Sequence, residues 1–417
     1  MKVAIYTLGC KVNQYETQAM EQELRGRGHE VVDFSAPADA YVVNSCSVTA
    51  VSDQKSRQML HRIRRDHPES VAALCGCYPQ THAEDVRKLD VDLIAGTGDR
   101  TGFIDLLEQA VEEKRHIESI DRAFERRVFE VLPAGGMSER TRAMLKVEDG
   151  CVNFCTYCII PYARGPVRSL PLDKAAEQAA GLKAEGYREI VLTGIEISSW
   201  GKDLKNGQTL IDLIEAICAA APGVRIRLGS LEPRTITEDF CRRAAALPML
   251  CPQFHLSMQS GCDATLKRMN RKYDTARFAQ SVALLNQYFE HLAITTDMIT
   301  GFPEETEEEF AQMHIFPYSI RPGTPAADMK QVPKAVKEER AKRGAAVAAE
   351  MRQAYLEACV GKIYPVLFEQ PKGDKFFGHA PNYMEVLVEG EDLHNTVKNV
   401  RITAVEGEAL LGEILED

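Results

Sequence analysis

Short apolar runs alternate with amphipathic segments along most of the chain, and this alternation limits the fold more than any other feature. In residues 1–110 the apolar runs are Val3–Leu8, Val31–Phe34, Tyr41–Asn44, Val71–Leu74 and Leu93–Ala95. The amphipathic segments between them include Gln14–Gly26, Val51–Arg65 and Thr101–Glu113. Strands that alternate with helices form parallel sheets with helices on both faces. We therefore predict a doubly wound α/β domain over residues 1–115.

The alternation restarts at Met144 and continues through the middle of the chain. Its apolar runs are Met144–Val147, Ile190–Leu192, Arg225–Leu228, Phe254–Met258, Ile294–Ile299 and Ile315–Tyr318. About six strand–helix units predict a partial or full parallel barrel, whose reactive face is the C-terminal end of the strands. We assign this core to residues 143–359, including a trailing helix from Lys334 to about Cys359. The charge-rich residues 116–142 are interpreted as a linker.

The last segment, residues 360–417, has a different character. Its strand-like runs are separated by Gly, Asn and Asp turns, and they are Tyr364–Phe368, Met384–Val388, Val397–Ile402 and Ala409–Ile414. Several short strands with turn residues between them predict a small antiparallel β-barrel.

The connection between the fifth and sixth strands of the central domain is unusually short. Only twelve residues separate Gly301 from His314. A parallel crossover with its helix takes at least ~10–12 residues, and a barrel unit takes more. We therefore predict a missing segment near Gln312–Met313.

Composition excludes several classes of protein. The 50 Lys and Arg residues against 61 Asp and Glu give a net charge of −11, which disfavours a bulk electrostatic nucleic-acid binder but allows a local basic face. No apolar run approaches the ~18–20 residues that span a bilayer, and the N-terminus lacks a signal peptide's apolar region. The twelve cysteines are interpreted as metal ligands or core residues in a reducing compartment. We expect a cytoplasmic protein without membrane association.

Three cysteines lie within eight residues directly after the first strand of the central domain. They form the loop Cys151-Val-Asn-Phe-Cys155-Thr-Tyr-Cys158. A 4Fe–4S cluster usually takes four cysteine ligands, so three in one loop leave one iron open. The alternatives are a zinc knuckle that lacks a ligand and three unrelated thiols. Zinc is the weaker interpretation because no cysteine or histidine follows at zinc spacing.

A second set of cysteines follows strands of the N-terminal domain. Cys10 follows the first strand, Cys46 follows Tyr41–Asn44, and Cys75 and Cys77 come at the end of the run that begins at Val71. The carboxyl ends of parallel strands share one edge, where ligands bind. These cysteines therefore predict a second metal site, and the alternative is small buried residues at strand ends. Alternation places Cys75 and Cys77 on the same side, so the pattern does not choose between them.

The three-cysteine loop resembles the signature of the radical S-adenosylmethionine superfamily, and the chain as a whole resembles the methylthiotransferase family. Further segments carry the second resemblance, namely Gly76-Cys77, Ile159-Ile-Pro-Tyr-Ala-Arg-Gly165, Leu192-Thr-Gly194, His255-Leu-Ser-Met-Gln-Ser-Gly261, Asp297-Met-Ile-Thr-Gly-Phe-Pro303 and Phe316-Pro-Tyr-Ser-Ile-Arg-Pro-Gly-Thr324.

The resemblance implies two 4Fe–4S clusters and S-adenosylmethionine. Cys151, Cys155 and Cys158 would hold the cluster that binds S-adenosylmethionine at its open iron. An auxiliary cluster would be held by Cys10, Cys46 and Cys77, because the family's Gly-Cys motif selects Cys77. The C-terminal barrel would be a TRAM domain, which helps to hold tRNA.

The resemblance also implies the activity, which is sulfur insertion into a tRNA adenosine followed by methylation. The segments Leu8–Glu16, Cys158–Arg168 and Ser230–Pro233 resemble the branch that acts on N6-threonylcarbamoyladenosine next to the anticodon. The isopentenyladenosine branch, the ribosomal-protein aspartate branch and a non-catalytic iron–sulfur RNA-binding protein are the alternatives. A flavodoxin or ferredoxin is the expected electron donor, and the sulfur source is unknown.

Single residues outside the cysteine sets are weaker candidates. Gly194, Gln259 and Arg164 are expected near S-adenosylmethionine, with a plain turn or an ion pair as the alternative. Candidate substrate contacts, for which solvated surface positions are the alternative, are Arg225, Arg227, Arg234, Lys55 and Arg62. Arg225, Arg227 and Arg234 are included because the threonylcarbamoyl group carries a carboxylate, and Lys55 and Arg62 because they lie on one basic helix that would line a tRNA path.

Overall fold

The N-terminal unit is a six-stranded parallel sheet. The computed structural model describes residues 1–136, 141–306 and 315–415. The strand order is β2-β1-β3-β4-β5-β6. The strands are β1 (Lys2–Thr7), β2 (Glu30–Val32), β3 (Ala40–Ser45), β4 (Val71–Gly76), β5 (Leu93–Ala95) and β6 (Ile117–Ser119). The helices are α1 (Lys11–Gly26), α2 (Ala50–Asp66), α3 (Cys77–Thr81), α4 (Ala83–Val86) and α5 (Arg100–Glu113).

Helices cover both faces of this sheet, which confirms the predicted doubly wound architecture. Strands β3 and β4 are buried along their whole length, as central parallel strands are. One face packs on Met20 and Leu24 of α1 and on α5, and the other packs on Leu60 and Ile63 of α2. The sheet also reaches into the predicted linker, because β6 adds a sixth strand beside β5.

The central unit is a parallel partial barrel, as the second alternation predicts. Its strands, some of only two residues, are β7 (Arg142–Lys146), β8 (Glu148–Asp149), β9 (Arg168–Ser169), β10 (Glu189–Thr193), β11 (Arg225–Leu228), β12 (Ser230–Leu231), β13 (Gln253–Leu256), β14 (Ala293–Thr295), β15 (Met298–Thr300) and β16 (Ile315–Pro317). Its helices are α6 (Ile160–Arg164), α7 (Leu172–Ala184), α8 (Leu210–Ala220), α9 (Glu238–Ala245), α10 (Asp263–Arg268) and α11 (Thr275–Tyr288).

All the long strand pairings of this unit are parallel. β10 lies between β7 and β11, β13 lies between β12 and β14, and β15 pairs with β16. The predicted missing segment near Gln312–Met313 lies outside the described residues.

A long helix, α12 (Lys334–Glu357), leads into a closed five-stranded barrel. The barrel strands are β17 (Ile363–Lys372), β18 (Lys375–His379), β19 (Glu385–Val388), β20 (Val397–Glu406) and β21 (Ala409–Ile414). The barrel is as predicted, but the sequence pattern missed β18, and the β19–β21 pair is parallel. No helix in the described part of the chain has the length and apolarity to cross a membrane.

Candidate functional site: two sets of three cysteines

The N-terminal cysteines meet at the carboxyl edge of the sheet. Cys10 caps α1 after β1, Cys46 follows β3, and Cys77 begins α3 after β4. These are three neighbouring strands, at the point where the strand order reverses and parallel sheets bind ligands. A Cβ on Gly9 would overlap the Cys46 side chain, 2.6 Å from its Sγ, and Gly9 has a φ of +104°. Glycine therefore brings Cys46 close to Cys10.

Electrostatic coupling shows that these thiols are neighbours. Burial raises the pKa of Cys77 to about 12, the charge of Arg164 opposes this rise, and Cys46 and Cys10 add to it. The pKa of Cys46 is also raised by burial. Buried thiols of this kind stay protonated at neutral pH unless a metal centre takes the proton's place.

Cys75 lies apart from the set. Its side chain belongs to the core between the sheet and α1 and α5, and its Sγ is 3.8 Å from Asn44 Oδ1. The chain turns at Gly76, where φ is +100°, so strand alternation stops before Cys77. The structure thus separates two cysteines that the sequence pattern left equivalent.

The second set lies in the loop between β8 and α6. Cys155 is buried, whereas Cys151 and Cys158 are partly exposed. Burial, and after it the charge of Cys155, raise the pKa of Cys158 to about 12. Burial likewise raises the pKa of Cys151, to which Cys158 and Cys155 contribute. The three thiols therefore lie close together.

The segment after α10 holds this loop in place. Asn270 Nδ2 donates to Phe154 O at 2.9 Å, and Thr156 N donates to Met269 O at 3.1 Å. Arg271 Nη1 lies 3.1 Å from Cys155 Sγ, and its Nη2 is buried without a hydrogen-bond partner among the described residues. The sequence interpretation missed Arg271 because no spacing links it to the cysteine loop.

The donor sets fit iron–sulfur clusters better than single ions. Among the described residues, no three His, Cys, Asp or Glu side chains lie close enough to bind one metal ion. Each set instead supplies three thiols and no nitrogen or carboxylate, and thiolate-only ligation is the pattern of iron–sulfur clusters. A four-iron cube is wider than a single ion, so its ligands stand further apart.

The two cysteine sets lie on adjoining faces of the N-terminal and central units. Helix α3, which begins at Cys77, packs against α6, which begins two residues after Cys158. Thr97 Oγ1 of the N-terminal unit donates to Ala163 O of α6 at 2.6 Å. The two units thus present both sets to one region.

A buried ion network joins the same two units. Its members are Glu16, Arg100, Lys146, Asp149, Arg164 and Arg168. Burial raises the pKa of Glu16, but the charges of its three cationic neighbours outweigh burial and lower the pKa to about 2. The pKa of Asp149 is lowered for the same reason. Both carboxylates are therefore ionised in the folded protein.

Arg164 belongs to this network. Its guanidinium is fully buried, bonds both oxygens of Glu16, and donates to Asn13 Oδ1 at 2.8 Å. The sequence placed Arg164 beside S-adenosylmethionine, with an ion pair as the alternative. The structure gives it a carboxylate and an amide of the N-terminal unit instead, so its role is to join the units.

Gly194 and Gln259 lie at strand ends of the central unit. A Cβ at position 194 would lie 2.9 Å from Glu148 O and from Glu148 Oε2, so packing alone calls for glycine there. Gln259 has a φ of +66° and bridges to Met298. The left-handed backbone conformation costs a non-glycine residue about 1–3 kcal/mol of conformational energy, and such residues are concentrated at functional sites.

Arg225 and Arg227 anchor the C-terminal barrel. Both pair with buried Glu189 at 2.8 Å, and Arg225 Nη1 donates to Pro365 O at 3.1 Å. Arg227 also lies over the Tyr383 ring, 4.6 Å from its centroid. Both guanidiniums thus share the carboxylate of Glu189 and bond backbone carbonyls of the barrel, in place of the predicted substrate carboxylate.

The remaining predicted contacts lie at the surface. Arg234 makes two hydrogen bonds to the carboxylate of Glu232, at 2.5 and 2.9 Å. Lys55 and Arg62 lie on the exposed side of α2, and Arg62 pairs with Asp66 at 3.6 Å.

A two-lobed cavity, here called the interdomain cavity, lies where the N-terminal unit, the central strands and the C-terminal barrel meet. Its lobes measure about 430 and 490 Å³. Lys11, Arg227 and Tyr383, one residue from each unit, line both lobes. These volumes are in the range of small-molecule sites.

Three aromatic rings are exposed beside the second cysteine set. Phe154 of the cysteine loop stacks on Phe124 with a centroid distance of 6.2 Å, and Tyr162 of α6 contacts both rings edge-on. Each ring is about two-fifths exposed. Exposed aromatic rings are the usual platforms for unpaired bases.

Family models match both major units. Residues 2–96 match the family described as Uncharacterized protein family UPF0004, and residues 145–316 match the Radical SAM superfamily. The fold is also similar to two solved structures. The first is the radical S-adenosylmethionine methyltransferase TsrM of Kitasatospora setae, with a TM-score of 0.57, 15% identity, and coverage of 78% of this chain and 77% of that one. The second is the cobalamin-dependent radical enzyme OxsB, with a TM-score of 0.54, 12% identity, and coverage of 78% and 54%.

A parallel partial barrel with a three-cysteine loop after its first strand defines a radical S-adenosylmethionine protein. Sequence identity to curated proteins assigns the chain to one family within this superfamily. The threonylcarbamoyladenosine tRNA methylthiotransferase MtaB of Bacillus subtilis is 38% identical, over 96% of this chain and 93% of that protein. The protein of the same name from Thermotoga maritima is 34% identical, with 98% and 96% covered. The tRNA-2-methylthio-N(6)-dimethylallyladenosine synthase of Symbiobacterium thermophilum is 32% identical, with 100% and 94% covered. The chain belongs to the radical-SAM methylthiotransferase family.

Proposed function

We propose that this protein is a tRNA methylthiotransferase that converts N6-threonylcarbamoyladenosine, next to the anticodon, to its 2-methylthio derivative. The observation that carries the proposal is the presence of both cysteine sets in a chain whose relatives of that name are 34–38% identical over at least 87% of its length. The dimethylallyladenosine relatives are 32% identical.

The proposal assigns a 4Fe–4S cluster to each cysteine set. Cys151, Cys155 and Cys158 hold the cluster that takes S-adenosylmethionine, and the set at the N-terminal sheet edge holds the auxiliary one. When bound, these cofactors supply radical activation of a carbon–hydrogen bond, the sulfur atom and the methyl group.

The chain's own residues orient these cofactors. Arg271 holds the cysteine loop through Cys155 Sγ, and its buried, unpartnered Nη2 points to an anionic group that the described protein part does not supply. Gln259 and Gly194 stay candidates for S-adenosylmethionine contact at the strand ends. Glu16 and Arg164 keep the two units in register, so both sets face one substrate.

Contacts with tRNA are proposed on the side of the exposed aromatic rings. Phe124, Phe154 and Tyr162 offer ring faces for an unpaired loop base, and Lys55 and Arg62 on α2 offer cations for phosphates. The C-terminal barrel is proposed as the TRAM domain. A flavodoxin or ferredoxin is the proposed electron donor, and the proposed location is the cytoplasm, where tRNA is modified.

The test is anaerobic reconstitution followed by iron counting and nucleoside mass spectrometry. We expect about eight irons per chain, which is two four-iron cubes. The reconstituted enzyme then receives tRNA that bears either the threonylcarbamoyl or the isopentenyl modification. Methylthiolation of only the isopentenyl substrate would overturn the substrate assignment, about four irons would overturn the auxiliary site, and absence of S-adenosylmethionine cleavage would favour the non-catalytic alternative.

A further inference from the structure

The interdomain cavity contains an unmatched positive charge. Four lysines or arginines line its two lobes, and three of them have acidic partners. Arg227 pairs with Glu189 at 2.8 Å, Arg142 pairs with Glu369 at 3.2 Å, and Arg352 lies 3.9 Å from Glu408.

The fourth cation is Lys11, for which the described residues provide no ion pair. It is exposed, it lines both lobes, and it directly follows Cys10. Each acidic group that lines the cavity pairs with a side chain other than Lys11, and Glu369 pairs with Arg142 as above. Asp297 faces His255 at 3.3 Å, and Glu385 pairs with Lys372. An anion that enters this cavity therefore finds one ammonium group that pairs with no carboxylate of the described residues.

The rest of the cavity suits a small polar group. Ser230, His255 and Thr295 line the larger lobe and offer hydroxyl and imidazole groups for hydrogen bonds. A polar cavity of this kind favours a ligand that carries matching polar groups over an apolar one, because an apolar ligand would displace water from these groups without replacing its hydrogen bonds.

We propose that Lys11 recognises the carboxylate of the threonylcarbamoyl group, and that it is a specificity-determining residue for the modified adenosine. This inference rests on the proposed function. Lys11 lies next to an auxiliary-set cysteine, so the contact also keeps the modified base beside that set. A charge-assisted hydrogen bond between ammonium and carboxylate fits the geometry, because Lys is a flexible, three-donor point charge.

The experiment combines two enzymes with two substrates. The holoenzyme and its Lys11→Gln variant each receive the threonylcarbamoylated tRNA and the same tRNA whose threonyl carboxylate has been converted to the methyl amide. We expect Lys11→Gln to lower kcat/KM on the natural substrate by about 10- to 100-fold, the value of one hydrogen bond to a charged group. The amide should lower kcat/KM of the unchanged enzyme by a similar factor. When the Lys11→Gln variant acts on the amide substrate, kcat/KM should be only slightly lower than with either change alone.

Several readouts separate recognition from a structural effect. Lys11→Gln should keep about eight irons and normal uncoupled S-adenosylmethionine cleavage, and Lys11→Arg should restore part of the lost affinity for tRNA. Lys88→Gln, at an exposed lysine of the same unit, is the matched control and should leave kcat/KM unchanged.

Equal losses for Lys11→Gln on both substrates would overturn the inference, because Lys11 would then bind another group such as a phosphate. An equal kcat/KM of the unchanged enzyme on the natural and the amide substrate would also overturn the inference. If the unchanged enzyme ignores threonylcarbamoylated tRNA and modifies isopentenylated tRNA, the proposed function itself fails, and this inference fails with it.

Discussion

Replacing Glu16 by glutamine tests whether the buried ion network holds the N-terminal unit on the central unit. Glu16 accepts from Lys146 Nζ at 2.9 Å and from Arg164 Nη2 at 3.2 Å, and Arg100 Nη2 lies at 3.5 Å. The neutral amide keeps the shape but leaves three buried cations with less negative charge. Removing one member of a buried ion pair typically costs about 3–5 kcal/mol.

The pKa of Glu16 gives an independent magnitude. It falls from 4.5 to about 2 in the folded protein, which corresponds to roughly 3 kcal/mol at 1.36 kcal/mol per unit. Because the folded-state pKa is the lower one, this stabilisation is present above pH 4.5 and is lost as the pH falls towards 2. Both routes therefore predict a cost of about 3 kcal/mol at neutral pH.

Hydrogen exchange followed by mass spectrometry measures this cost locally, without a two-state assumption for the whole chain. We expect amide exchange in α1 to accelerate about 100-fold in Glu16→Gln, since each tenfold is about 1.4 kcal/mol. Product formation should fall more than S-adenosylmethionine cleavage, because the two cysteine sets lose their register.

The matched control is Glu21→Gln on the same helix. Glu21 pairs with Arg25 at 3.4 Å across one exposed helical turn, and such pairs contribute about 0.3–0.5 kcal/mol. Exchange in α1 that rises less than about fivefold in Glu16→Gln, or equally in both variants, would refute the structural role assigned to the network.

Three further predictions concern the cysteine sets. Gly9→Ala should lower the iron content from about eight towards four per chain, because the new Cβ would overlap Cys46. The control is Gly28→Ala, which is also at positive φ but has nothing within 4 Å and should keep all the iron. Equal iron content in both variants would contradict the packing argument. Cys155→Ala should abolish S-adenosylmethionine cleavage, while Cys46→Ala should keep cleavage and lose methylthiolated product, and product from the Cys46 variant would refute its assignment. Arg271→Met should raise the KM for S-adenosylmethionine at least about tenfold, because a charged hydrogen-bond donor is lost. KM is compared at equal iron content, and an unchanged KM would mean that Arg271 only holds the loop.

Topology explains why much of the site was predictable. Cys10, Cys46 and Cys77 follow three strands, and parallel strands end at one edge of a sheet, so the sequence order of strands and cysteines already implies convergence. Cys151, Cys155 and Cys158 are predictable for a simpler reason, because eight residues cannot carry their thiols far apart. Both inferences rest on short-range or topological geometry and need no knowledge of packing.

The contacts of long side chains, in contrast, were not predictable from the sequence. Arg164, Arg225 and Arg227 were predicted as ligand contacts, but each bonds protein groups at a boundary between units. Arg164 pairs with Glu16 of the N-terminal unit, whereas Arg225 and Arg227 pair with Glu189 of their own unit and donate to backbone carbonyls of the barrel. An arginine head lies several bonds from its backbone, and its partner is chosen by whichever carboxylate the tertiary fold buries nearby. No local pattern contains that information.

The sequence by itself therefore determined the strand–helix alternation, the two cysteine sets and the family, since these depend on periodicity, strand order and spacing. Only the tertiary structure decided between Cys75 and Cys77 on physical grounds, through the turn at Gly76, and only it brought Arg271 onto Cys155. It also left Lys11 as the cation in the interdomain cavity without an ion-pair partner among the described residues. Such outcomes depend on which charges burial brings together, because a buried charge must find a partner and an exposed one need not.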